Sequence, residues 1–195
     1  MCKFVSRQRI LAANLAILLI SGFATPYGLC ENKATDMLAS DTPTVSREDM
    51  PNGHKCVKAT ILIHASPQIV WETVHKERQK DADLAYAHVH EQGPNQMTLE
   101  EKFVFLPYIG TATCLMKHTE VPMQRIDFYL IKSDLFKSME GSWVLTSNDN
   151  GKSTILALSS YLELVFPVPR PLVNGIAAQK LQKRLLNIKA MAEKI

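Results

Sequence analysis

The chain has 195 residues, of which 46% are hydrophobic, enough for one domain with a buried core. Its formal charge of +3 comes from the N-terminus, where Lys3, Arg7 and Arg9 face no acidic residue, while the other 19 of its 22 basic residues balance 19 acidic ones. Proteins that bind nucleic acid need a basic surface to neutralise phosphates, so this charge balance argues against such a partner.

The N-terminus has the pattern of a secretory signal peptide. An apolar segment, Ile10–Ile20, follows the basic residues and is interrupted only by Asn14. Gly22-Phe23-Ala24 then places small residues at the two positions that a signal peptidase requires. We expect cleavage after Ala24 and a periplasmic or secreted protein, because the apolar run is short for a membrane span of roughly 20 residues. An uncleaved membrane anchor is the alternative.

Residues 25–55 predict a flexible polar linker, because they are rich in Pro, Ser, Thr, Asp and Asn and lack an apolar period. Three cysteines follow the leader: Cys30, Cys56 and Cys114. In an oxidising compartment a Cys30–Cys56 disulfide is one expectation. Three unpaired thiols, with Cys114 as a small buried strand residue, are the other.

The segment 56–195 predicts one α+β domain that begins with a strand and a helix. Cys56–His64 alternates apolar and polar residues, as a half-buried strand does. Ser66 is a suitable N-cap and Pro67 suits the first helical turn, so a helix bearing Trp71 is expected next. The charged stretch Lys76–Asp83 is expected to form a turn or a second short helix.

Six further alternating segments predict an antiparallel meander, because short Gly-, Asn- and Pro-containing turns separate them. The Asn150-Gly151 pair is the most specific of these turn signals. The six segments are Tyr86–Gln92, Gln96–Phe105, Thr111–Glu120, Gln124–Lys132, Met139–Ser147 and Ser153–Val165. Together with the first strand they make seven strands.

A long amphipathic helix is predicted to close the chain. Pro167, Pro169 and Pro171 end the last strand, and apolar residues then recur every three or four positions as far as Ile195. A curved antiparallel sheet with such a helix laid across it leaves room for a cavity between them.

Four stretches of the segment 56–195 carry a family resemblance: Ala65-Ser66-Pro67-Gln68-Ile69-Val70-Trp71, Gly141-Ser142-Trp143, Thr154-Ile155-Leu156 and the Pro167–Lys189 passage. In this order they resemble the START-like (SRPBCC) superfamily, especially its polyketide cyclase and coenzyme Q-binding branch. The stretch His75–Lys80 departs from the Asp, aromatic and Pro residues that many members have there. The resemblance implies a helix-grip fold: a curved seven-stranded antiparallel sheet, two short helices after the first strand, and a long C-terminal helix over a hydrophobic cavity.

The resemblance also implies ligands, because relatives bind lipids, quinones or polyketides in this cavity. Inward strand positions and the last helix would supply its walls. A solid core without a cavity is the alternative, since burying one large side chain contributes about 1.5–3 kcal/mol without any ligand. The candidate ligand-binding residues are Phe103, Phe105, Tyr108, Phe128, Trp143, Ile155, Tyr161, Leu172 and Ile176.

Two carboxylates are candidates for catalysis. Asp127 and Glu163 lie among apolar strand residues, where an inward orientation would bury them and raise their pKa. Strand alternation favours the opposite orientation, outward into water.

The expected function is that of an exported binding protein for a hydrophobic small molecule, a lipid or an isoprenoid quinone, with transient membrane contact. No cofactor and no metal site is predicted, and the oligomeric state is left open. Two alternatives stand beside it: a cyclase- or hydrolase-like enzyme that uses a cavity carboxylate, and a module that binds another envelope protein.

Overall fold

An antiparallel sheet and two helices form the domain. The computed structural model describes residues 40–81, 83–106 and 110–195, apart from the side chains of residues 105 and 106. Within these residues eight strands form one sheet in the order β1-β2-β8-β7-β6-β5-β4-β3. The elements are β1 Thr44–Asp49, β2 Lys55–Ile63, α1 Pro67–Gln79, β3 Leu84–Gly93, β4 Gln96–Leu106, β5 Gly110–Val121, β6 Arg125–Ser133, β7 Phe136–Asn148, a short 3₁₀ turn Asp149–Gly151, β8 Ser153–Leu164 and α2 Arg170–Ala192.

The predicted number of seven strands is wrong, because the described part of the chain contains eight. The additional strand, β1, lies inside the segment predicted to be a polar linker and pairs with β2 from Thr44–Thr60 to Asp49–Lys55. It is an edge strand with mostly exposed side chains, so its sequence needs no apolar alternation. The segment 25–39 and Cys30 lie outside the described residues, so the rest of the linker and the disulfide stay predictions.

The two short helices predicted after the first strand are one helix in the structure. The Ser66 hydroxyl accepts a hydrogen bond from the Ile69 amide (3.4 Å) at its start, as predicted. The charged stretch that follows continues the helix to Gln79 because Glu77 is buried on the same face as Val70 and Val74. The charge of Glu77 is satisfied by Arg184 of α2, 2.7 Å away, so a charged sequence here does not break the helix.

Both helices pack on one face of the sheet, called here the inner face. The core between them and β2, β7 and β8 is made of side chains with almost no exposure: Ile61, Ile63, Val70, Val74, Trp143, Leu156, Leu158, Leu185 and Ile188. These positions alternate along the strands and recur every three or four residues in the helices, as the sequence predicts. No helix in the described ranges is long and apolar enough to cross a membrane.

Gly141 lies where three strands approach closely. Its partners are Phe128 of β6 and Ser160 of β8, and a Cβ at this position would overlap the Ser159 carbonyl and lie 2.6 Å from Phe128 Cζ. We expect Gly141→Ala to lower the free energy of unfolding by about 2–3 kcal/mol, because the backbone or the Phe128 ring must move. Urea denaturation measures the change.

Gly175 provides the matched control for this substitution. It lies on the exposed side of α2, and a Cβ there meets no atom within 4 Å. Gly175→Ala is expected to raise the free energy of unfolding by about 0.5–1 kcal/mol, because alanine is the better helix former. A loss of stability of the same size in both variants would contradict the close-approach argument.

Candidate functional site

A cavity of about 460 Å³ lies between the inner face of the sheet and helix α2. Strands β4, β5, β6, β7 and β8 contribute its walls because alternate side chains of each strand point to the inner face. Among them, the rings of Phe103 and Phe136 stack with their centroids 5.9 Å apart. The apolar part of the lining is Leu84, Phe103, Met116, Phe128, Phe136, Met139, Trp143, Leu158, Leu162, Ala177, Leu181, Ala190 and Met191.

Three of the residues predicted to contact a ligand line this cavity: Phe103, Phe128 and Trp143. The side chain of Phe105 and the whole of Tyr108 lie outside the described residues. In α2, Leu172 is 55% exposed and Ile176 is half-buried, and neither lines the cavity.

Two further predicted residues, Ile155 and Tyr161, lie on the outer face of the sheet. Strand alternation places them opposite Leu158 and Leu162, which line the cavity. The Tyr161 ring stacks on His54 with centroids 4.1 Å apart, and the Arg170 guanidinium lies 5.1 Å from its centre. No finding tests whether these residues contact a ligand, so that role stays a prediction.

The two carboxylates predicted as catalytic candidates are ion-paired and do not line the cavity. Asp127 lies 2.7 Å from Arg125, and Glu163 lies 3.1 Å from Lys137. The hydrogen bond from Lys137 holds the pKa of Glu163 below its usual value. Both positions face outward, as strand alternation favours.

A buried ion pair forms the inner polar end of the cavity. Arg184 of α2 donates hydrogen bonds to both carboxylate oxygens of Glu77 of α1: Nε lies 3.1 Å from Oε1 and 3.2 Å from Oε2, and Nη2 lies 2.7 Å from Oε2. The same guanidinium lies 3.6 Å from Asp81 and 5.0 Å above the Trp143 ring. Burial alone would lower the pKa of Arg184, but the bonds and charge of Glu77 outweigh it and raise that pKa. The pair therefore fixes α2 to α1 beside the cavity.

Beside this pair a chain of polar groups connects α1 to β5. Arg78 Nη2 donates to Nδ1 of His118 (2.7 Å), and Arg78 Nη1 lies 3.4 Å from Glu120 Oε1. His75 Nε2 lies 3.2 Å from both carboxylate oxygens of Glu120. The bond to Glu120 raises the pKa of His75 and lowers that of Glu120. This chain holds the Arg78 guanidinium against the edge of His118.

The protonation state of His118 follows from that contact. A guanidinium has donors only, so Nδ1 must accept and the single proton of the ring is on Nε2. The side chain is only 5% exposed, and burial, reinforced by the charge of Arg78, lowers its pKa to about 3. His118 lines the cavity, and Nε2 has no hydrogen-bond partner in the described part of the structure.

Glu101 is a further charged group in the lining. It projects from β4 into the cavity and makes no hydrogen bond or ion pair with another described residue. Burial raises its pKa, although the charges of Arg78 and Arg184 act in the opposite direction. The inner end of the cavity thus contains carboxyl groups as well as the two arginines.

Lysines lie at the outer rim of the cavity. Lys180 binds Asp83 (2.6 Å), whereas Lys80, Lys183 and Lys194 form no ion pair with a described residue. Over the same described residues, no group of three or more His, Cys, Asp or Glu side chains is arranged to hold a metal ion. The chemistry that this arrangement offers is apolar burial with a few fixed polar groups at one end.

Sequence reasoning missed Glu77, Arg78, Glu101, His118 and Arg184 as site residues. Each belongs to a charged or polar stretch that looks solvated when the sequence is considered alone. For two of these residues the periodicity of the sequence was a usable signal. His118 follows Met116 by two positions in a strand, and Arg184 lies one helical turn from Leu181 on the apolar side of α2. Those positions place both side chains near the inner face.

No family model matches the chain, and no curated protein matches it. Solved structures do match in fold. A START superfamily protein from Mycobacterium smegmatis is 18% identical over 71% of this chain and 97% of its own, with a TM-score of 0.59. This chain has a START-like fold. The eight-stranded antiparallel sheet, the short helix after β2 and the long C-terminal helix are its parts here.

Two other structures with the START-like fold carry names that describe an activity. A STAR-related lipid transfer protein from Xanthomonas axonopodis is 9% identical, with a TM-score of 0.60 over 78% of this chain and 99% of its own. The Zhui aromatase/cyclase of a Streptomyces species is 11% identical, with a TM-score of 0.56 over 70% and 90%. At such identities the likeness extends to the fold alone.

Proposed function

We propose that this protein binds a hydrophobic small molecule, a lipid or an isoprenoid quinone, between the sheet and α2. The observation that carries the proposal is the cavity of about 460 Å³ with mainly apolar walls and a polar inner end. Cavities of roughly 300–1,000 Å³ with a few placed polar groups are typical small-molecule sites. Proteins of similar fold are named as lipid transfer proteins and cyclases, which agrees with an apolar ligand.

Burial of the ligand's apolar surface would drive binding. Each Å² of apolar surface removed from water contributes about 25 cal/mol, so an isoprenoid or acyl chain is held without specific bonds. The rings of Phe103, Phe128 and Trp143 supply flat apolar contacts, and Met116 and Met139 adapt to irregular shapes. Specificity is then left to the polar end.

The protein acts outside the cytoplasm in this proposal. Support comes from the leader, with Lys3, Arg7 and Arg9 before the apolar run and Ala24 at the expected cleavage site. Cell fractionation of the full chain with a C-terminal tag tests it. A periplasmic or secreted product that begins at Thr25 by mass spectrometry supports export, and a cytoplasmic product of full length contradicts it.

Native mass spectrometry of the exported protein tests ligand binding directly. An organic extract of the same sample should contain a lipid or quinone whose mass equals the mass lost on denaturation. Purified protein that carries no such mass, and that also fails to bind added hydrophobic probes, would contradict the proposal.

A cavity-filling substitution should weaken binding while leaving the fold intact. Met139 lines the cavity and is half-buried, so Met139→Trp is expected to place a larger side chain in the space that a ligand needs. We expect affinity for a hydrophobic probe to fall at least tenfold, with a change of about 1 kcal/mol or less in the free energy of unfolding. Met139→Leu, which keeps the cavity open, is the control and should bind as the parent does. Equal binding by the two variants would place the ligand elsewhere.

A further inference from the structure

The donor on His118 is a fixed hydrogen-bonding group without a partner among the described residues, on a side chain that lines the cavity. Arg78 occupies Nδ1 at 2.7 Å, so the proton must be on Nε2. The side chain is only 5% exposed, lines the cavity, and leaves Nε2 without a partner among the described residues. Nε2 itself has almost no accessible surface, so an acceptor reaches it only if the surrounding side chains shift. A buried donor without a partner costs free energy, so the site gains from a ligand that brings an acceptor to it.

The surroundings of His118 favour an uncharged acceptor. The Phe128 ring lies 6.1 Å from the imidazole, and the side chain of Met116 lies on the same face of β5. The nearby Arg78 is already engaged by Glu120, and Glu77 and Asp81 offset the charge of Arg184. A carboxylate or phosphate beside His118 would have to lose its hydration without a free cation next to it, because Lys80, Lys183 and Lys194, which form no ion pair with a described residue, lie at the outer rim. A carbonyl oxygen loses much less.

We propose that His118 Nε2–H donates a hydrogen bond to a carbonyl oxygen of the bound hydrophobic molecule, and that Arg78 positions the ring for this. The ligand is thus a ketone, a quinone or an ester whose carbonyl enters the cavity first. This inference rests on the proposed function and adds the ligand's functional group to it. Arg78 is a positioning residue, since its contact is with the far nitrogen of the ring.

The test compares two probes that differ in their carbonyl groups. Menadione carries ring carbonyls, and methylnaphthalene has the same fused rings and methyl group without oxygen. Calorimetric titration gives the ratio of the two affinities for each protein variant, which cancels general differences in hydrophobicity. We expect His118→Phe to reduce the preference for menadione about tenfold, the size of one lost hydrogen bond in a buried site.

Met116→Leu is the matched control, because it changes an apolar wall on the same strand and keeps the donor. It should change both affinities equally and leave their ratio as in the parent protein. Should His118→Phe fail to fold, nitrogen-15 NMR of the parent protein gives the answer instead. The Nε2–H signal of His118 should be present without ligand and should shift with menadione but not with methylnaphthalene.

The possible outcomes distinguish a failure of the carbonyl contact from a failure of the proposed function, hydrophobic ligand binding. Binding of methylnaphthalene and menadione with a ratio unchanged in His118→Phe would overturn the carbonyl contact and leave the hydrophobic site standing. Stronger binding of decanoate than of menadione, lost in His118→Phe, would also overturn it and indicate an anion site. Failure of the parent protein to bind any of these probes would contradict the proposed function itself.

Discussion

Replacing Arg184 with methionine is expected to lower the free energy of unfolding by about 3 kcal/mol. The substitution leaves the Glu77 carboxylate, 7% exposed, without the hydrogen bonds from the guanidinium that satisfy it. Breaking a buried pair by removing one partner costs about 3–5 kcal/mol. We expect the lower end because the side chain of Arg184 keeps 28% exposure. Urea denaturation measures the loss.

Two further variants separate the charge effect from the loss of a long side chain. Lys183→Met, on the exposed side of α2, removes a neighbouring charge that has no described ion-pair partner and should change stability by about 0.5 kcal/mol or less. Glu77→Gln combined with Arg184→Met removes both charges and should recover a large part of the loss. No recovery in the double variant would show that packing, and not the uncompensated carboxylate, sets the cost.

The antiparallel core of the fold could be predicted because its signals are local. Alternation along Val57–Ile63, the Asn150-Gly151 turn and the apolar period of α2 each lie within one element. At the turn, Asn150 and Gly151 have φ angles of 51° and 87°, the left-handed conformations that these two residues adopt most readily. Such signals do not depend on which residues meet in space.

The orientation of β8 could not be predicted, because both of its faces are buried. Leu156 and Leu158 are buried on the inner face, while Ala157 and Tyr161 are buried on the outer face, where the His54 ring stacks on Tyr161. Alternation tells which residues share a face, and it correctly groups Ile155 with Tyr161. It does not tell which face the helices cover.

The polar groups of the site could not be predicted because their partners are distant in the sequence. Arg184 and Glu77 are 107 residues apart, and Arg78 and His118 are 40 apart. In the sequence each looks like an exposed charge, and only the distant partner explains why Arg184 and Glu77 lie inside. Strand alternation, a local signal, does favour an outward orientation for Asp127 and Glu163, and the structure has both facing outward.

Acidification is expected to destabilise the fold through His118. Its folded-state pKa of about 3 lies below the ordinary value of 6.5, so the unfolded chain binds a proton that the native protein excludes. Stability is therefore unaffected above about pH 6.5 and falls as the pH drops towards 3. When the unfolded state binds one proton more than the native state, the free energy of unfolding changes by about 1.4 kcal/mol per pH unit. His118 should therefore lower the free energy of unfolding by about 2 kcal/mol between pH 6 and pH 4.

His75 and Glu120, the neighbouring titratable groups, do not lower the free energy of unfolding between about pH 6 and pH 4.5. The pKa of His75 is raised by Glu120, so its contribution is present at low pH and is lost only as the pH rises through that raised pKa. The lowered pKa of Glu120 adds a loss below about pH 4.5, where unfolded glutamate takes up protons. Burial raises the pKa of Glu101, so its contribution to stability grows as the pH falls towards about 4.5 and opposes the loss from His118. Among these neighbouring groups, His118 is therefore the one that lowers stability between pH 6 and pH 4.5.

Urea denaturation at several pH values, with NMR titration of the imidazole, measures the effect. His118→Gln should remove most of the slope between pH 6 and pH 4.5, because glutamine does not titrate. His90→Gln, at an exposed position on β3, should keep the slope of the parent protein. An imidazole of His118 that titrates near pH 6.5 would contradict both the contact with Arg78 and the assignment of the proton to Nε2. The same measurement therefore tests the donor on which recognition of a carbonyl depends.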